Sequence, residues 1–290
     1  MLKNYFLTLI ILISFCNNVF SQLAAYSNFQ NQFIVWDDGM SKKIEYLIPQ
    51  NVSIGRSNVA YIDNSSNFKI YTKGEGVTKI NSGFTNRFVV TDNLVAYQNA
   101  SNLLVWDRGE SHLLSKNSSI YYAGDSIVVY FDQVRNIYNA YYNHNIYPIE
   151  TFLAASNASN LFVNTDDKRA VVSSAADIAS GQLPSLKVSD NVAAYVNFAN
   201  QFKVFYRGNV NHMEDYLVKS FDVGRNTVAY VDANEQFKVF QNGQTQTLDN
   251  IKPENYLVGD DLVAYVGNDY YFKVFYNDSV YNIGYFDPEY

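Results

Sequence analysis

A short phrase of a small or branched residue, alanine and tyrosine returns along this chain at near-constant distance. That repetition constrains the fold more than any other feature. The phrase is Val59-Ala60-Tyr61, Val95-Ala96-Tyr97, Ala193-Ala194-Tyr195, Val228-Ala229-Tyr230 and Val263-Ala264-Tyr265, with Ala24-Ala25-Tyr26 and Val128-Val129-Tyr130 as variants. Tyr26, Tyr61, Tyr97 and Tyr130 are spaced by 35, 36 and 33 residues, and Tyr195, Tyr230 and Tyr265 by 35 each. The interval from Tyr130 to Tyr195 is 65 residues, close to two periods. A degenerate unit centred on Leu161-Phe162-Val163 is therefore expected within it, making eight units, with seven as the alternative.

Three further runs share the period. Phe68-Lys69-Ile70-Tyr71, Phe202-Lys203-Val204-Phe205, Phe237-Lys238-Val239-Phe240 and Phe272-Lys273-Val274-Phe275 follow the tyrosine phrase, and Phe33-Ile34-Val35-Trp36 and Leu103-Leu104-Val105-Trp106 are their cousins. A glycine often closes this run, at Gly39, Gly74, Gly109, Gly208 and Gly243. A third apolar stretch comes next, and a fourth, such as Phe221 to Val223 or Tyr256 to Val258, precedes the following unit. Four short β-type runs per unit, punctuated by Gly, Asn, Asp and Ser, are the grammar of strands and tight turns. No stretch after residue 21 sustains an apolar 3.6-residue period over three turns, as a helical repeat requires. The fold class expected is all-β: a β-propeller of about eight four-stranded blades. The small residue of each tyrosine phrase is expected to leave room for an aromatic ring of a neighbouring blade. The chain opens, after residue 22, on a tyrosine phrase that lacks its preceding strand, and Tyr285-Phe286-Asp287 resembles that strand. Ring closure is expected by the C-terminal strand joining the N-terminal blade, which removes open sheet edges.

Trp36-Asp37 and Trp106-Asp107 end the second run, where a WD40 blade carries its Trp-Asp pair. The pattern resembles the WD40-like and TolB-like propeller superfamily over most of the chain. The resemblance implies the fold alone, which hosts binding scaffolds and enzymes alike.

Residues 1–21 have the form of a secretory signal peptide: Lys3, then an apolar run of 12 residues from Tyr5 to Cys16, then Val19-Phe20-Ser21 before a cut ahead of Gln22. Twelve helical residues are too short for a hydrocarbon core of about 30 Å. Residues 22–290 are then a single propeller domain, exported to the periplasm or beyond the cell, with no membrane insertion after cleavage. Cys16 is the one cysteine, so the mature chain has no disulfide, thiolate nucleophile or Cys-ligated metal. The net charge of −7 argues against a nucleic-acid partner, whose phosphates attract a basic surface.

Candidate chemistry is sparse. His112, His144 and His212 fall on the outer runs of different units, which places them apart, and no metal or cofactor is expected. Asp37-Asp38, Asp166-Asp167 and Asp260-Asp261 are adjacent pairs that suit turns better than a catalytic dyad. Asp125 and Asp260 follow the glycine that ends the fourth run, and Arg56 and Arg225 hold the same place in other units, so these four could shape a polar face. Lys69, Lys203, Lys238 and Lys273 recur with the second run; an anion site is one reading, and strand-surface lysines covering apolar area with their stems the other. Most aromatics recur at fixed positions, as core does. Tyr138, Tyr141, Tyr142, Tyr147, Phe152, Tyr270 and Tyr271 stand off the pattern, and Tyr138, Tyr141 and Tyr142 are the candidate ligand platform. The function expected is a non-catalytic, monomeric recognition scaffold for an envelope protein or glycan. The alternative is a carbohydrate-active enzyme using carboxylates near the propeller axis.

Overall fold

A computed structural model of the chain describes residues 22–82, 85–118, 120–151, 183 and 185–285. The described residues are strands and turns throughout. By contact density the chain falls into two compact units, 1–84 and 85–290, and each is described by itself. The first unit holds a three-stranded sheet of β1 (Ala24–Ser27), β2 (Phe33–Asp37) and β3 (Met40–Glu45), and a four-stranded sheet of β4 (Gln50–Ile54), β5 (Asn58–Ile62), β6 (Asn67–Thr72) and β7 (Gly76–Ser82). The second holds five four-stranded sheets: β8 (Thr85–Val90), β9 (Val95–Asn99), β10 (Asn102–Asp107) and β11 (Glu110–Ser115); β12 (Tyr121–Ala123), β13 (Ile127–Asp132), β14 (Ile137–Tyr142) and β15 (Asn145–Thr151); β16 (Ser185–Val188), β17 (Val192–Val196), β18 (Phe202–Tyr206) and β19 (Asn209–Glu214); β20 (Ser220–Val223), β21 (Thr227–Val231), β22 (Phe237–Gln241) and β23 (Gln244–Asp249); and β24 (Asn255–Val258), β25 (Leu262–Val266), β26 (Tyr271–Tyr276) and β27 (Ser279–Tyr285).

Each sheet is an antiparallel meander of nearest neighbours, as short turns between strands dictate. The tyrosine phrase forms the second strand and the Phe-Lys-Val-Phe run the third. These two pair in a fixed register, Ala194 opposite Val204, Ala229 opposite Val239 and Ala264 opposite Val274. The third and fourth strands close through a two-residue turn with both residues at positive φ: Asp38-Gly39, Arg108-Gly109, Arg207-Gly208 and Asn242-Gly243. That is the type I′ geometry whose twist matches the strands, and it explains the recurring glycine. Between second and third strands an Asn or Asp holds the turn with its side chain. Asp63 Oδ1 accepts from the N–H of Ser65 and of Asn67, Asn197 Oδ1 from those of Ala199 and Gln201, and Asp232 Oδ1 from those of Asn234 and Gln236.

Core forms between sheets. Val192, Ala194, Val196, Phe202, Val204 and Tyr206 of one sheet pack against Phe221, Val228, Tyr230 and Phe240 of the next. Ala194 is the small residue beside the Phe221 and Tyr230 rings, the role expected of the recurring alanine. Within this sheet, Val192, Ala194 and Val196 and their partners Phe202, Val204 and Tyr206 face forward along the chain, and the alternate residues Ala193, Tyr195 and Phe205 face back.

Two expectations change. The sheet of β12–β15 packs directly on that of β16–β19: Ile127, Val129, Tyr138, Ala140 and Ile149 share a cluster with Ala193, Tyr195 and Phe205. Among the described residues no eighth sheet lies between them, and Leu161-Phe162-Val163 lies outside the described residues. Tyr285, expected to open the closing strand, pairs with Tyr271 in the last sheet, while Phe286 and Asp287 lie outside the described residues.

Candidate functional site

In the second unit, the turn between the first and second strands of one sheet stacks on the same turn of the next. Ser126 N–H donates to the Asp190 carbonyl at 2.8 Å, Asn191 N–H to the Arg225 carbonyl at 3.2 Å, and Asn226 N–H to the Asp260 carbonyl at 3.4 Å. Asn191 Nδ2 donates to Asn226 Oδ1 at 2.9 Å, and Asn226 Nδ2 to Asp261 Oδ1 at 3.3 Å. The glycines before two of these turns, Gly124 and Gly224, permit this approach. A Cβ on Gly124 would overlap the Ser189 carbonyl, and one on Gly224 the Gly259 carbonyl.

Three of the residues singled out from the sequence meet along this row. Arg225 Nε lies 3.0 Å from Asp190 Oδ2, and its Nη2 lies 3.9 Å from Asp260 Oδ2. The Asp190 contact is the main reason the guanidinium holds its proton more tightly than usual. Asp125 accepts from Asp92 N–H at 2.9 Å. Its pKa is raised, chiefly by burial and further by the negative charge of Asp190 and Asp92, against the pull of that N–H. Asp260 is exposed. Arg56 holds the corresponding turn between β4 and β5 in the first unit, where it is half-buried. Asp190 and Asp92 were not singled out, because Ser189 and Thr91 stand where the other turns carry glycine. The row is a polar edge with partly compensated charge. Among the described residues, no group of three or more His, Cys, Asp or Glu could hold a metal ion.

The tyrosine platform is a correction. Tyr138 and Tyr141 are buried. The Tyr138 hydroxyl accepts from Leu183 N–H at 3.2 Å, and Tyr141 donates to Asp107 Oδ2 at 2.8 Å. Tyr142 is half-buried, edge-on to Phe205 with ring centroids 6.4 Å apart. The buried Tyr138 and Tyr141 rings fill the interface between sheets. Burial pushes the Tyr138 hydroxyl up to about 12. Phe152 lies outside the described residues.

The recurring lysines are neither an anion site nor surface cover. Lys69 bridges Glu45 at 2.7 Å and Asp63 at 2.8 Å; Lys238 bridges Glu214 and Asp232, both at 2.8 Å; Lys273 reaches Asp269 at 2.8 Å and Asp249 at 3.4 Å; Lys203 meets Glu150 at 2.8 Å. In each case one carboxylate, Glu45, Glu214, Asp249 or Glu150, sits at the end of the preceding sheet's outer strand. The lysine is thus a tie between sheets. The Trp-Asp aspartates do the same work: Asp37 accepts from Tyr71 at 2.5 Å, and Asp107 from Tyr141, each on the next sheet.

The histidines also depart from expectation. His112 on β11 and His144 in the β14–β15 turn meet across a sheet interface, ring centroids 5.5 Å apart and edge-on. His144 Nδ1 lies 3.6 Å from Asp107 Oδ2. His212 is separate, 3.3 Å from Asp215.

An open pocket of about 280 Å³ lies between the last two sheets, lined by Lys219, Lys252, Glu254, Asn255 and Tyr256 among others. Its lysines both reach Glu235.

Repeated four-stranded meanders, cores made between successive sheets and stacked first turns define a β-propeller class of repeat protein. The chain belongs to the family described as the 10-bladed beta propeller domain, whose model matches residues 18–290, across both compact units. That description counts ten blades, against the eight or seven expected from the repeat. No curated protein matches the chain. Solved structures that it resembles include Prp20p from Saccharomyces cerevisiae, studied for its binding to Gsp1p and histones, at 9% identity over 77% of this chain and 70% of that one, with a TM-score of 0.36. The CRINKLY WD40 ectodomain of the Arabidopsis thaliana receptor kinase ACR4 matches at 9% identity over 90% and 93% of the two chains, TM-score 0.39. The computationally designed Ika8 protein matches at 14% identity over 89% and 82%, TM-score 0.34.

Proposed function

We propose that this protein is an exported, non-catalytic recognition scaffold for an envelope protein or glycan, acting in the periplasm or at the cell surface. The observation that carries the reading is where the reactive side chains go. The recurrent lysines, the Trp-Asp aspartates and nearly all patterned aromatics are engaged between sheets. The stacked first turns, with Asp260 and Asp261 exposed, remain as a polar rim for hydrogen bonding to a partner. Export rests on the signal-like residues 1–21.

Immobilised residues 22–290 exposed to an envelope extract of the source organism test this. One dominant retained protein or glycan, displaced by free protein and weakened by Arg225→Ala, is expected. Retention that is absent, or unaffected by free competitor, overturns the reading. A carbohydrate-active enzyme is the second reading, favoured by the raised pKa of Asp125 near Asp190, a property suited to a general acid. Its signature is release of reducing sugar that Asp125→Asn abolishes.

A further inference from the structure

A second open cavity, of about 340 Å³, lies between the last two sheets on the side where the first turns stack, lined by Gln241, Asn242, Asp261, Tyr276, Asn277 and Asp278. One departure from the repeat accounts for it. The third strand of each sheet ends opposite the start of the second: Tyr142 opposite Ile127, Tyr206 opposite Val192 and Gln241 opposite Thr227. The two tyrosine rings reach the next sheet, Tyr142 edge-on to Phe205 with centroids 6.4 Å apart and Tyr206 edge-on to Phe240 at 5.7 Å. Gln241 holds the same place without a ring, and the room a ring would take is left open.

Gln241 is 7% exposed, and its amide is fixed. Nε2 donates to Thr227 Oγ1 at 2.9 Å and to the Asp261 carbonyl at 3.0 Å, which uses both of its hydrogens. Oε1 accepts from no described residue. An acceptor on a side chain this buried seldom goes without a donor, and here the side chain lines a cavity. Asp261 Oδ1 accepts from Asn226 Nδ2 at 3.3 Å, which leaves Oδ2 to accept. Asn242 Oδ1 accepts from the Tyr206 hydroxyl at 3.5 Å, which leaves its Nδ2 to donate. Asp278 brings a further carboxylate, at the turn position that Gly39, Gly109, Gly208 and Gly243 hold in other sheets.

The lining therefore mixes acceptors, on Gln241, Asp261 and Asp278, with amide donors on Asn242 and Asn277. A hydroxyl group donates and accepts at once, so adjacent hydroxyls on a sugar ring can meet both kinds. An ammonium or guanidinium group only donates, and would leave amide N–H groups facing a cation. An anion would meet two carboxylates, with no lysine, arginine or histidine among the lining residues to offset them.

We infer that this cavity binds one residue of a neutral, hydroxyl-rich sugar, with Gln241, Asp261 and Asp278 accepting from its hydroxyls and Asn242 donating to them. The inference rests on the recognition-scaffold reading above, and it names the ligand class and the place on the polar rim where the ligand sits.

Saturation-transfer difference NMR on residues 22–290 tests this, with the methyl glycosides of glucose, galactose, mannose and fucose as probes and methyl glucuronide as the acidic control. At least one neutral glycoside should bind at millimolar concentration, and the glucuronide should not. Gln241→Tyr restores the residue of the preceding sheets and fills the cavity, so binding should be lost. Asp278→Gly puts in the residue that the corresponding turns carry and spares the fold, which a circular-dichroism melt checks. Losing a hydrogen bond to a carboxylate should raise its Kd about tenfold or more. No saturation transfer to any neutral probe, or an affinity that Asp278→Gly leaves unchanged, overturns the inference. Envelope-extract capture distinguishes this from failure of the recognition scaffold. Glycosides that do not bind, with capture that persists and falls in Arg225→Ala, overturn the sugar site alone, whereas capture absent in the unmodified protein overturns the scaffold.

Discussion

Replacing Lys238 with methionine removes one tie between sheets and leaves the strand's apolar stem in place. Its Nζ lies 2.8 Å from Glu214 Oε1 on the preceding sheet and 2.8 Å from Asp232 Oδ2 in its own. The lysine side chain is 17% exposed and that of Asp232 is 3% exposed. Exposed ion pairs contribute about 0.2–1 kcal/mol, whereas removing one partner from a fully buried pair costs about 3–5 kcal/mol. Glu214 keeps the Tyr230 hydroxyl at 3.1 Å, and Asp232 keeps the N–H groups of Asn234 and Gln236. The loss therefore falls between the limits, about 2–3 kcal/mol. Its pH dependence follows from Asp232. Burial opposes ionisation of that carboxyl, but Lys238 and the Gln236 N–H outweigh burial and lower its pKa. A lowered carboxylate contributes stability above its unfolded value, about 3.9, and that contribution is lost as pH falls through the lower folded value. Urea unfolding should show the full deficit of Lys238→Met at pH 7 and a smaller one at about pH 3. The Glu214→Gln double-mutant cycle should give a coupling on the order of 1 kcal/mol or more. A deficit below about 0.5 kcal/mol, or one of equal size at both pH values, refutes the inter-sheet tie.

Other expectations follow from the same contacts. Phe202→Ala, which empties a site 5.0 Å from both the Phe221 and Tyr230 rings, should cost about 3–5 kcal/mol in chemical denaturation. Gly224→Ala should damage the fold far more than Gly243→Ala: the former drives a methyl into the Gly259 carbonyl, while the latter has open space and only a positive φ of 85° to bear, a strain of about 1–2 kcal/mol. Thermal melts by circular dichroism separate the two. Asp125, with a raised folded pKa, favours its protonated form, so it disfavours the fold increasingly as pH rises from the usual carboxylate range through that raised value. Asp125→Asn should keep the Asp92 contact, leave stability at pH 7 unchanged or higher, and flatten this segment of the pH–stability profile.

Much of the architecture was legible in the sequence because the strand pattern and turn chemistry are local. The Val-Ala-Tyr period, the Gly39, Gly109, Gly208 and Gly243 turns and the small residue beside each ring all need only a short window. The inter-sheet contacts were harder. Lys69 and Glu45, Lys238 and Glu214, and Lys273 and Asp249 are each 24 residues apart, a constant spacing that would have revealed the ties. Lys203 and Glu150 break it at 53. Tyr138, Tyr141 and Tyr142 look irregular only because the β13–β14 turn differs in sequence; by pairing, Tyr138 stands where Phe68 and Phe202 do, and Tyr141 where Tyr71 and Phe205 do. Asp190 escaped notice for want of a preceding glycine. The longer interval between Tyr130 and Tyr195 suggested an extra blade; among the described residues, Ile149 packs in one cluster with Tyr195 of the next sheet.

Hydrogen–deuterium exchange, read by mass spectrometry in the unmodified protein and in Phe202→Ala, tests most directly whether cohesion resides between sheets. The account predicts that truncating a ring on β18 lowers protection on β20 and β21 of the following sheet, where Phe221 and Tyr230 lose their neighbour. Protection lost only within β16–β19, with β20 and β21 unchanged, would contradict it.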